Sequence, residues 1–165
     1  YYTQAATILT QASKAGLDVK FFGCDGLDGM LDMENFDKSL AEGVMLLTPF
    51  SAAATDEKTQ NFVKAFKDTN KVTPNQFAAD AYDAVYAIKA AAEKEKVTPD
   101  MSIADIEAAL AKGMTEVSVE GLTGTITWNE AGEPDKEPRA VVIADGAYKM
   151  MESGDVSTSS NADAE

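Results

Sequence analysis

The residues best placed to do chemistry lie where an apolar run stops abruptly. Phe21-Phe22 is followed by Gly23-Cys24-Asp25-Gly26-Leu27-Asp28-Gly29, in which glycines and carboxylates crowd together. The pattern reads as a strand whose carboxyl end carries an acidic turn. In an open α/β sheet ligands bind in the crevice outside the carboxyl ends of the strands, so an acid there can face a cationic group on a ligand. The same residues also make an ordinary acidic surface turn, because Asp and Gly are common turn formers. The stretch alone leaves both readings open.

Other chemistries fit less well. Gly23, Gly26 and Gly29 match neither the dinucleotide fingerprint nor a P-loop, and no Gly-Lys-Ser/Thr follows, so a nucleotide cofactor is not expected. Asp25, Asp28 and Asp32 invite a calcium reading, but Leu27 stands at the third position, where an EF-hand needs an oxygen ligand, and no ligand-spaced Glu follows. Cys24 is the only cysteine and the chain has 0 histidines, which removes an intrachain disulfide, the usual zinc sites and histidine-dependent triads. A carboxylate beside Cys24 raises a thiol pKa, so the expectation there is a small buried residue rather than a nucleophile. Many acids are present, yet no spacing selects a pair for glycoside hydrolysis.

Several elements must position the acidic turn. Ala5, Ile8, Leu9, Ala12 and Ala15 recur at helical spacing and Gly16 supplies a stop. Val19 to Cys24 and Val44 to Leu47 read as buried strands, with a loop and a short helical turn over Leu27 to Phe36 between them. Thr55 or Asp56 caps a helix containing Phe62, Val63 and Phe66. The strongest helical signal is the stripe Phe77, Ala81, Ala84, Val85, Ile88 and Ala92, expected to face a core, with Asp80, Asp83 and Lys89 mainly off it. Ser102 caps a further helix that turns Ile103, Ile106 and Leu110 inward and ends at Gly113. From Val117 the period changes to strands. Trp128 lies on one of them, Asn129 to Pro138 reads as turn, and Ala140 to Ala144 pairs with Ala147 to Met150 across Asp145-Gly146. Residues 153–165 carry no apolar periodicity and are expected to form a disordered tail.

The 165 residues, 45% hydrophobic, are enough for a core, and the net charge of -14 disfavours nucleic acid and anionic membranes as partners. No apolar run approaches the roughly 20 residues that span a bilayer. The chain starts at Tyr1-Tyr2 directly in a helical pattern, and only two parallel strand candidates serve four helices. The class is α/β, and the reading is that of a portion of a longer protein.

Taken in order, Tyr1-Tyr2-Thr3-Gln4-Ala5, Ile8-Leu9-Thr10-Gln11-Ala12, Gly16, Phe22-Gly23-Cys24-Asp25-Gly26, Ala41-Glu42-Gly43-Val44, Phe62, Phe66, Phe77-Ala78-Ala79-Asp80-Ala81-Tyr82-Asp83-Ala84 and Gly121 to Trp128 resemble the branched-chain amino-acid binding proteins of ABC importers. The resemblance runs from Tyr1 to about Met151. It implies the three-layer αβα fold of the type I periplasmic binding proteins, of which this is an incomplete C-terminal portion contributing to both lobes. Residues 1–50 then belong to the C-terminal lobe, 51–130 complete the N-terminal lobe, and 131–152 return as strands and a hairpin of the C-terminal lobe. The resemblance further implies a non-enzymatic, extracytoplasmic protein, periplasmic or a cell-surface lipoprotein, that binds an amino acid, branched-chain or otherwise apolar, between lobes that close on a hinge. A ligand-sensing domain on the same fold is the alternative. Residue by residue, Asp25 matches the acid that meets the ligand ammonium, Tyr1 an aromatic that holds the amino-acid backbone, and Phe77 a wall of the side-chain pocket. Gly26 allows close approach, and Leu27 is a further ligand candidate. The implied partners are the amino acid, the importer's membrane permease and the missing N-terminal half, which supplies the grip on the ligand carboxylate. The chain departs from the family pattern in having Asp25 where some members have Glu, and Cys24 where Gly or Pro is frequent.

Overall fold

The computed structural model describes residues 1–136 and 139–151; the expected tail at 153–165 lies outside the described residues. The Asp145-Gly146 pair does what its types allow. Both residues adopt positive φ, 54° and 70°, and join β6 (Ala140–Ala144) to β7 (Ala147–Met150) in a tight antiparallel hairpin. β6 pairs antiparallel with β2 (Met45–Leu47), which pairs in parallel with β1 (Phe22–Gly23), giving the order β1-β2-β6-β7. Helix α1 (Tyr2–Lys14) packs against this sheet through Ala6 and Leu9. Three short 3-10 turns, Asp25–Leu27, Met30–Asp32 and Lys38–Ala41, fill the link between β1 and β2. Met30, Ala41, Val141 and Ile143 are completely buried in the resulting core.

The middle of the chain is mostly helical. Asp56 caps α2 (Glu57–Asn70), Asn75 caps α3 (Gln76–Lys94) and Ser102 caps α4 (Ile103–Glu116). A three-stranded antiparallel sheet follows, β3 (Val119–Glu120), β4 (Thr125–Trp128) and β5 (Pro134–Asp135). A second core joins Phe50, Val63, Ala79 and Leu122, with Phe62 and Tyr82 packed on it.

Six expectations are corrected. The strand expected over Val19 to Cys24 shrinks to two residues and is not buried: β1 is a sheet edge among the described residues, and Phe22 is 67% exposed. Cys24 is exposed, because it sits past the end of that edge strand rather than within it. The buried face of α3 is Gln76, Ala79, Asp83, Ala87 and Ala91, so the larger apolar stripe faces outward, with Val85 64% and Ile88 54% exposed. The cause is close packing: α3 lies so near α4 that a Cβ on Gly113 would sit 2.8 Å from the Ala91 carbonyl oxygen, and only small residues fit between them. Gly113 is therefore a contact residue inside α4, not its end, and Ile103 at the start of that helix is 76% exposed rather than inward. Part of the expected turn over Asn129 to Pro138 forms β5, reached by a turn in which Asn129 Oδ1 accepts the N–H groups of Ala131 and Glu133.

Asp83 explains the rest of the α3 packing. Its carboxylate accepts Leu122 N–H at 2.7 Å, Thr123 N–H at 2.9 Å and the Thr123 hydroxyl at 2.6 Å, so the Gly121–Gly124 turn is folded directly onto it. Gly121 has no room for a side chain there, since its Cβ would overlap this carboxylate.

Candidate functional site

The acidic turn forms as its composition requires. Leu27 N–H bonds to the Cys24 carbonyl at 3.2 Å and Asp28 N–H to the Asp25 carbonyl at 3.0 Å, closing one 3-10 turn immediately beyond β1. Leu27 folds back beneath it against Gly23 and joins the first core. Asp25 is left exposed at the tip. Gly26 approaches the start of α1, where a Cβ would lie 3.4 Å from the Tyr1 ring.

Tyr1 is the N-cap residue of α1 and is 79% exposed. Its ring lies 6.4 Å, centroid to centroid, from that of Phe77 in the first turn of α3, at an interplanar angle of 52°. Tyr1, Gly26 and Phe77 thus converge beside Asp25, whereas Leu27 supports the turn from below. The positive ends of two helix dipoles, those of α1 and α3, point toward this acidic corner. Asp25 also lines a cavity of ≈ 330 Å³ together with Cys24, Thr48, Pro49 and the cationic Lys136 and Arg139.

Three residues that sequence reasoning left aside hold this corner together. The Asp28 carboxylate, buried, accepts the main-chain N–H of Gln76 at 2.6 Å. The Gln76 carboxamide donates from Nε2 to the Asp25 carbonyl at 2.7 Å. The Tyr148 hydroxyl, reaching in from β7, accepts Gly29 N–H at 3.1 Å. Burial pushes the Asp28 carboxyl above its usual range. The N–H groups of Gln76 and Gly29 oppose that shift, while Asp32 and Asp80 add to it. Burial, with the neighbouring Asp28 charge, pushes the Tyr148 phenol up to about 12, so it is neutral at any working pH. Gln76 is fully buried and its Oε1 has no hydrogen-bond partner among the described residues, a cost of about 1–3 kcal/mol that the remaining bonds must offset. The signal available in sequence was slight: a second Asp-Gly pair, Asp28-Gly29, and an Asn-Gln before an apolar helix. Gly29 has φ 102°, and a Cβ there would lie 3.2 Å from Asn75 Nδ2. A further link, Lys136 Nζ to Asp80 Oδ1 at 2.9 Å, ties the segment after β5 to α3.

The chain is thus α/β, with an acidic turn at a strand's carboxyl end beside an aromatic residue at the start of each of two helices. The chain belongs to the periplasmic binding protein family, whose match spans residues 1–147. Over 133 residues, 81% of this chain and 33% of the relative, it is 29% identical to the leucine-, isoleucine-, valine-, threonine- and alanine-binding protein of Pseudomonas aeruginosa. Over 135 residues, again 81% and 33%, it is 27% identical to the Leu/Ile/Val-binding protein of Escherichia coli. Among solved structures it resembles the branched-chain amino acid transporter substrate-binding protein LivJ of Streptococcus pneumoniae in complex with isoleucine. That likeness has TM-score 0.71 and 25% identity and covers 92% of this chain and 42% of that one. The leucine-binding protein LivK of Thermotoga maritima shares the fold at TM-score 0.73 and 22% identity, with 92% and 42% covered. The fold is that of the type I periplasmic binding proteins, and the chain spans about a third of the length of the curated relatives it matches.

Proposed function

We propose that this chain is part of an extracytoplasmic solute-binding protein that delivers an amino acid, branched-chain or otherwise apolar, to the membrane permease of an ABC importer. The observation that carries the reading is the exposed Asp25 carboxylate on its turn, beside the Tyr1 and Phe77 rings. A carboxylate in that position meets a ligand α-ammonium through a charge-assisted hydrogen bond, which strengthens when water is excluded. The two rings offer apolar surface to the rest of the ligand, and Gly26 lets it approach the main chain. Leu27 acts one layer further back, holding the turn against the core. The relatives' names support the ligand class, since each is an amino-acid-binding protein.

Binding would proceed by closure of two lobes about a hinge, with no bond made or broken in the ligand, so no catalytic residue is assigned. Groups that hold the ligand carboxylate would come from the N-terminal half of the same protein. Two surfaces left open among the described residues support that partner: the edge of β1 with exposed Phe22, and the outward stripe of α3 with Val85 and Ile88. Residues 1–50 and 131–152 would form the C-terminal lobe segment, and 51–130 the part that completes the other lobe. Among the described residues no helix is long and apolar enough to cross a membrane.

Calorimetric titration of the full-length protein against L-leucine, L-isoleucine, L-valine and a wider amino-acid panel tests the reading. The expected result is saturable binding that Asp25→Ala abolishes while the unfolding transition is preserved. Unchanged affinity in Asp25→Ala would remove the assigned role.

A further inference from the structure

The corner that carries Asp25 is joined to α3 by a polar bolt, and the bolt links parts of the chain far apart in sequence. Asp28 and Gln76 are 48 residues apart, and Gln76 and Asp25 are 51 apart. Each end of the bolt carries one candidate ligand contact. Asp25 is three residues before Asp28, on the same turn, and Phe77 follows Gln76 directly.

We propose that Asp28 is a positioning residue: through Gln76 it locks the acidic turn to the first turn of α3, and so fixes how Asp25 and Phe77 face a single ligand. This rests on the amino-acid-binding reading for its consequence, but not for its geometry. The geometry is specific. Asp28 accepts a main-chain N–H that the helix itself cannot satisfy, at 2.6 Å, while the Gln76 side chain donates a second bond to the turn at 2.7 Å. Both bonds are donated by Gln76 to the turn, one from its main chain and one from its side chain, so turn and helix cannot slide past each other without breaking at least one of them. Gln76 is fully buried with Oε1 unpaired among the described residues, which singles out its Nε2 and main-chain N–H as the atoms that matter. Gly29 leaves space for Asn75 to close against the turn, and Tyr148 fixes the far side of the turn to β7. The groups facing Asp28 are Asp32 on its own segment, Asp80 on α3 and Tyr148 on β7. Lys136 pairs with Asp80, which leaves Asp32, without an ion-pair partner among the described residues, as the second carboxylate beside Asp28.

The test uses the full-length protein, with amide hydrogen exchange and L-leucine titration read together. In Asp28→Ala, peptides covering 25–31 and 76–80 are expected to lose protection together, each exchanging about tenfold faster, while the core around Val141 and Ile143 stays protected. L-leucine affinity should fall about tenfold as well. Asp28→Asn keeps an acceptor oxygen of the same shape and should hold both readouts within about twofold of the wild type. Loosening of α3 alone, or an Asp28→Asn variant as loose as Asp28→Ala, would overturn the proposal. Where Asp28→Ala does not fold, Gln76→Met serves: it keeps the main-chain N–H for Asp28 and deletes only the side-chain bond to the Asp25 carbonyl. It should free the turn and weaken leucine binding while α3 stays protected, and a turn as protected as wild type would overturn the proposal. A wild-type protein that binds no L-leucine, L-isoleucine or L-valine would refute the amino-acid reading instead, and the coupled exchange would still decide the bolt.

Discussion

The two cores of this chain are built differently. The first, around the β1-β2-β6-β7 sheet, encloses large side chains completely: Met30, Val141 and Ile143 have no exposed surface. The second, around α2, α3 and the Gly121–Gly124 turn, is made of Phe50, Val63, Ala79 and Leu122, and leaves the bulkiest apolar residues of α3 outside. In the first, the helix, strands and 3-10 turns of residues 1–47 close against a hairpin from the far end of the described sequence. In the second, the helices meet through Ala91 and Gly113, so their large residues are displaced to a face that no described residue covers. Small residues set the helix contact, and the large ones lie exposed.

The largest expected effect lies in the first core. Ile143→Ala removes a fully buried side chain and should cost about 2–5 kcal/mol in urea unfolding. A smaller loss would mean that this core is looser than its burial indicates. Gly113→Val pushes a side chain into the Ala91 carbonyl and should cost about 1–3 kcal/mol; helical circular dichroism during melting would report the separation of α3 from α4. Asp28 supplies a pH signature. Its folded pKa lies above the unfolded value of 3.8, so the fold holds this proton to higher pH than the unfolded chain does. Its contribution to stability is then greatest below that value and declines as pH rises through the folded pKa. Urea midpoints of wild type and Asp28→Asn across the acidic range should converge at low pH and separate in favour of Asn above it. The smallest effect in this chain alone is expected for Ile88→Ala, within about 0.5 kcal/mol because the side chain is exposed. In the full-length protein the same change should be several times more costly, and an equally small effect there would break the contrast between a finished core and an open one.

Much of the local structure was legible in the residues. Asp56 and Ser102 each cap a helix because a short side-chain oxygen reaches a free N–H there, and Asp145-Gly146 turns because those residues tolerate positive φ. The acidic turn at Asp25 was legible for the same reason. The burial of α3 was not. A helical stripe reports which residues are apolar, but α3 turned its alanines, Gln76 and Asp83 inward, because the space between α3 and α4 admits little more than a methyl group and the turn at Leu122-Thr123 needed a carboxylate. Ile103 and Cys24 were misjudged on similar grounds, since exposure depends on what lies opposite and a one-dimensional pattern carries no opposite side.

The sequence by itself determined where helices start, where the hairpin turns and that a strand ends in an acid, because those choices rest on interactions within a few residues. Only the tertiary structure decided that Asp28 and Gln76 meet, that Tyr1 and Phe77 share one corner with Asp25, and that the larger face of α3 looks outward. Each depends on the approach of segments distant in sequence, and that approach is set by packing rather than by local preference.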